Sequence, residues 1–186
     1  MNRNRIARTR KTSFGSAGFT LIEAVISLVI LAVGIMGLAA MMTNGIAYMS
    51  MSQADYIAQQ KAEEGLESVF YARDSQLYTW AQIQNVSAGG IFLNAPEVLC
   101  DPGPDGIIDT ADDNTLNIDA IYIPGPSGTL DGADATKQYL SNYTRTITIT
   151  AIAGETDVRA ITVTINYTVG RFVRQYVLTS YICQFS

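Results

Sequence analysis

Gly18-Phe19-Thr20-Leu21-Ile22-Glu23 opens the stretch whose reading decides the fold, and the apolar run Val25 to Met42 completes it. Eighteen consecutive residues in that run carry no charge, about the length at which a helix crosses the hydrocarbon core of a bilayer. One carboxylate, Glu23, stands at the near edge. A carboxylate at membrane depth is costly and needs a partner, and a simple anchor has no use for one, so Glu23 points to assembly. Upstream, residues 1–18 hold five basic side chains (Arg3, Arg5, Arg8, Arg10, Lys11) and no acid.

A basic leader, a glycine, Phe-Thr-Leu-Ile-Glu and an apolar helix together resemble the prepilin signature of type IV pilins and type II secretion pseudopilins. The continuation Leu28 to Leu38 is most similar to PilV-type minor pilins. The resemblance implies that a membrane peptidase cuts after Gly18 and methylates the new N-terminal Phe19, leaving the apolar run in the mature protein. The fresh α-amine would lie four residues before Glu23 and be largely protonated near neutral pH. Amine and carboxylate can then neutralise each other within one helix or between neighbouring helices of a filament. Two other readings stay open: an ordinary secretory signal with a small-x-small site at Gly37-Leu38-Ala39, and a plain membrane anchor.

The overall charge of −5 hides an asymmetry. Without the five leader cations, 7 basic residues face 17 acidic ones, a net charge of −10 over the remaining 168 residues. The basic end favours the cytoplasm, with the body exported. An acidic body argues against nucleic-acid binding through a broad basic surface. With no histidine, imidazole chemistry is excluded. No nucleophile–base arrangement, phosphate loop or Cys/His metal cluster is present, so no enzymatic activity is expected.

From Asn44 to Arg73 the helical pattern turns amphipathic. Ala47, Met51, Ala54, Ala58, Ala62, Leu66 and Val69 form one stripe, while Asp55, Gln59, Glu63 and Glu67 form a solvated face. No proline interrupts residues 19–73. Residues 74–117 lose periodicity around Gly89-Gly90, Pro96 and Pro102-Gly103-Pro104, with Tyr71, Tyr78 and Trp80 available to pin the segment to the helix. Residues 142–153, 157–169 and 171–183 alternate with period two and are rich in Thr, Ile, Val and Tyr. Gly154-Glu155 and Gly170-Arg171 supply turns between them, and Ile118 to Ile123 offers a short fourth strand. The expected fold is α+β and pilin-like: a long N-terminal helix, half transmembrane and half amphipathic, on a three- to four-stranded antiparallel sheet. The expected division is a removed leader at 1–18, a transmembrane assembly segment at 19–44 and an exported body at 45–186.

The segment Asp101-Pro-Gly-Pro-Asp105-Gly106-Ile107-Ile-Asp109-Thr-Ala-Asp112 aligns with the EF-hand loop. Asp101, Asp105, Asp109 and Asp112 fall at positions 1, 5, 9 and 12, and the Ile107 carbonyl falls at position 7. Gly103 stands at position 3, where a carboxylate is usual. Structural calcium is one reading and an acidic solvated turn the other. Cys100 and Cys183 are the only cysteines. In an exported domain they favour a disulfide, which would resemble the C-terminal staple of many pilins; two unpaired thiols are the alternative.

The resemblance implies a minor type IV pilin that joins or primes a pilus after storage in the bacterial inner membrane. Its partners would be other pilin subunits, prepilin peptidase and membrane lipid. A minor pseudopilin of a type II secretion system is the nearest rival. A membrane-anchored binding protein that never polymerises is the rival of another class.

Overall fold

The computed structural model describes residues 18–128 and 135–184; the expected leader, apart from Gly18, lies outside them. The chain divides into two compact units, Met1–Ile46 and Ala47–Ser186. Helix α1 spans Leu21–Asp74. Thr20 caps it: its hydroxyl accepts the Glu23 N–H at 3.3 Å, satisfying one of the first-turn donors that have no intrahelical partner. In the first unit the helix is exposed at nearly every position, and an 18-residue window of mean hydropathy 2.6 has none of its residues buried.

In the second unit α1 covers a sheet. Among the described residues eight strands follow it: β1 Glu97–Val98, β2 Cys100–Asp101, β3 Asn114–Ile118, β4 Ala120–Ile123, β5 Thr136–Tyr139, β6 Tyr143–Ala151, β7 Val158–Val169 and β8 Phe172–Cys183. The main sheet is antiparallel with order β1-β6-β7-β8. Gly154 and Gly170 adopt φ of +87° and +60° at the two hairpin turns, where a side chain would be strained. The fourth strand expected near Ile118–Ile123 does not join this sheet. Its residues in β4 pair instead with β5, and the place beside β6 is taken by Glu97–Val98.

Alternation places Ile147, Ile149, Ile161, Val163 and Ile165 on the inner face, all buried. Ala54, Ala58, Ala62 and Val69 of α1 meet them. Small residues let the helix sit close to the strands. A Cβ on Gly65 would come within 3.0 Å of both Arg145 Cδ and Val163 Cγ1. Two stacked tyrosines, Tyr143 and Tyr167, with centroids 5.3 Å apart, close one end of this layer. Tyr167 donates to Asp55 Oδ1 at 2.6 Å, and burial followed by that bond pushes its phenol up to about 12.

The connector is fastened to the sheet rather than to the helix alone. Trp80 donates its indole N–H to Thr156 O at 3.2 Å and lies beneath the Arg159 guanidinium, 4.3 Å from the ring centroid. Buried Asn85 works as a substitute strand: its amide donates to Ile147 O and its carbonyl accepts the Ile149 N–H, each at 2.7 Å. Tyr71 is half exposed, with its ring edge beside Gly106 of the acidic loop.

Candidate functional site

Two stretches were expected to carry function, and the structure treats them differently. At the start of α1, Gly18 and Phe19 are exposed and precede the first helical turn. Glu23 occupies that turn. Its backbone is engaged on both sides, by Thr20 at the N–H and by the Ser27 hydroxyl, which donates to Glu23 O at 2.8 Å. Thr20 and Ser27 are thus local backbone partners. Among the described residues no hydrogen bond or ion pair reaches the Glu23 carboxylate. Exposed next to an uncharged helix, it is a charge presented outward, free to meet a cation.

Residues 14–39 match the prokaryotic N-terminal methylation motif. This prepilin-type motif supports a type IV pilin-like or pseudopilin-like protein, the kind of chain that serves as a structural subunit. In general it implies pilin partners and processing by a prepilin peptidase, and with the apolar helix it fits membrane anchoring. No curated protein and no solved structure matches the chain.

The acidic loop is the second stretch. Here the expected ligand set is not assembled: among the described residues no three His, Cys, Asp or Glu side chains group as metal ligands. The physical reason is that internal donors claim each carboxylate separately. Asp105 accepts the Ile107 N–H at 2.8 Å and the Tyr78 hydroxyl at 2.8 Å. Asp101 accepts from the Asn117 amide, and Asp112 accepts the Thr110 hydroxyl at 2.7 Å. The Ile107 N–H is used within the turn while its side chain is wholly buried.

Asp109 leaves the loop altogether. It adopts φ of +62°, a region that Asp tolerates better than most residues, and turns inward to accept from Arg145 Nε at 3.0 Å. Burial pushes its carboxyl up, and Arg145 opposes that shift. Asp113, which the EF-hand alignment passed over, accepts the Asp109 N–H at 2.7 Å and is also pushed up by burial. Neither Arg145 nor Asn85 stood out in the sequence. The one available signal for Arg145 was a charged residue at an inward position of a strand otherwise facing the core with Tyr143, Ile147 and Ile149.

Both thiols are free, which corrects the expected Cys100–Cys183 bridge. Strand register shows why. Val98, two residues before Cys100, pairs with Thr144 and so stands level with Asn166 of β7; Cys183 pairs with Val158. Eight residues of β7 separate those levels, about 26 Å at the rise of a strand. A disulfide needs Cα atoms within about 7 Å. Cys100 is buried and Cys183 exposed; burial pushes the Cys100 thiol up to about 11.

Proposed function

We propose that this chain is a minor type IV pilin of the PilV type, held in the bacterial inner membrane before entry into a pilus. The prepilin-type motif at residues 14–39 carries the reading. It is supported by an exposed Glu23 at the head of an uninterrupted apolar helix and by the antiparallel sheet that follows. In this reading residues 1–18 are removed, residues 19–44 anchor and assemble the subunit, and residues 45–186 form the exported body. The five leader cations keep the N-terminus cytoplasmic. Glu23 is neutralised by the α-amine of Phe19, its own or a neighbour's. The mature chain, extracted from membranes, should have the intact mass of a protein starting at methylated Phe19, and should be recovered in sheared pilus fractions. A chain starting at Ala40 would overturn the prepilin reading. A Phe19 start with recovery only alongside a secretion apparatus would make the chain a pseudopilin.

A further inference from the structure

Strand β8 runs alongside α1 in the same direction. Near its start Arg174 pairs with Asp55 at 3.3 Å, and at its end Cys183 O accepts from Arg73 Nη1 at 3.1 Å. The β7–β8 turn therefore projects toward the start of the second unit, where Val169 and Gly170 line one groove with Ser50 and Gln53 of the helix. This end of the body is bare and apolar: Phe172 is 58 % exposed, Val173 80 %, Tyr48 72 % and Met49 75 %. Helix and hairpin bring no free acid to it. No charged residue lies between Glu23 and Asp55, no Asp or Glu follows Asp157, and Asp55 is taken by Arg174 and Tyr167. Arg174 is taken by the same pair. Arg171, in the turn itself, is exposed and has no hydrogen bond or ion pair among the described residues.

We propose that this end of the body docks on an anionic lipid surface, with Arg171 on headgroup phosphates and Phe172, Val173 and Tyr48 in the interfacial layer. The inference rests on the reading of Val25–Met42 as a membrane span. Met42 and Ser50 are eight residues apart, about 12 Å at the helical rise. The headgroup layer reaches about 5–7 Å beyond the hydrocarbon, and an extended arginine spans most of the remainder. Chain continuity thus holds the turn near the bilayer at high effective concentration, an advantage that no soluble partner shares. Phe172 and Val173 point to opposite sides of the hairpin, so a tip entering edge-on presents apolar surface on both. Aromatic rings suit a layer that is part wet and part apolar. Charge fixes the orientation: the turn is basic, while the loop at the far end of the body is acidic and is repelled by the same surface.

The test uses full-length chain reconstituted into vesicles of phosphatidylglycerol or of phosphatidylcholine, with an environment-sensitive fluorophore on one thiol. Val173→Cys in a Cys183→Ser background carries the label at the turn. The parent chain carries it on exposed Cys183, ten residues along β8 and about 33 Å away. Lipid spin-labelled at the headgroup should quench the turn label in phosphatidylglycerol and leave the Cys183 label largely unquenched. Arg171→Ala should lower the docking constant about fivefold, the contribution of one arginine beside an anionic surface. Phosphatidylcholine and high salt should act in the same direction. Equal quenching at the two positions, whether strong or absent, would overturn the proposal, as would turn quenching indifferent to Arg171 and to lipid charge. Chains washed from the vesicles by alkaline carbonate would overturn the span itself, and the docking with it. Arg171 and Val173 are both exposed, so misfolding does not mimic failure.

Discussion

Arg145 Nε donates to Asp109 Oδ1 at 3.0 Å while both side chains are 1–2 % exposed, which makes the acidic loop part of the core. The two remaining guanidinium nitrogens of Arg145 have no hydrogen-bond partner among the described residues. Asp109 is therefore the principal compensation for a buried cation.

Removing one partner of such a pair costs about 3–5 kcal/mol, since the other charge is left uncompensated. Asp109→Ala should lower the unfolding free energy by that amount in urea denaturation. Asp109→Ala combined with Arg145→Met should recover most of the loss, because the orphan charge goes too. A double variant no more stable than Asp109→Ala alone would show that the pair is not the source of the effect.

The pH dependence has a defined sign. The Asp109 carboxyl is raised from its ordinary 3.8, so the folded chain binds this proton more tightly than the unfolded chain. Its contribution favours folding at low pH and falls as pH rises from about 3.8 through the raised value. Measured against Asp109→Asn, which does not titrate, wild-type stability should decline across that window and then level off. A rise instead would mean that the attraction of Arg145 outweighs burial.

Thiol labelling should separate the two cysteines. At pH 8 a thiol with pKa about 11 is thiolate in about one molecule in a thousand, and Cys100 is buried as well. Ellman's reagent should therefore modify Cys183 alone in the native chain and both residues in denaturant. Failure of both to react, in the absence of reductant, would indicate an oxidised pair and a different register around β2.

Glu23→Leu should leave membrane insertion intact, because it removes a charge from the edge of an apolar segment. Entry into filaments should be impaired, and comparison of membrane and sheared fractions reads the two effects separately. Normal incorporation would mean that Glu23 has no role in assembly.

Calcium reduces to one measurement. With Asp109 held by Arg145 and the other loop acids bonded internally, the fold has its own means of holding the loop. The melting temperature of metal-stripped chain should move little in millimolar calcium. A rise of several degrees that disappears in Asp105→Ala would show that the loop reorganises around the ion.

The long elements were legible because their periods are unambiguous. The run from Val25 to Met42 reads only as a helix, and Tyr143–Ala151 and Val158–Val169 alternate without interruption. Burial of Ala54, Ala58, Ala62 and Val69 followed from spacing alone. The acidic loop was not legible for a related reason. Spacing along the chain says which carboxylates are near each other in sequence, but not that an Arg 36 residues away on β6 recruits one of them. The two-residue strand β1 carries no period at all. Compartment chemistry suggested a pairing of Cys100 with Cys183 that strand register, set by contacts distant in sequence, does not permit.

The Asn85 amide has a further consequence when the sheet is considered as a surface exposed to other extended chains. β1 pairs with only two residues of β6, so the rest of that side would be a template for aggregation. Asn85 occupies the Ile147 carbonyl and the Ile149 N–H and acts as a stopper there. Asn85→Leu would uncork the edge, with insoluble β-rich material as its signature at concentrations where the parent chain stays dispersed.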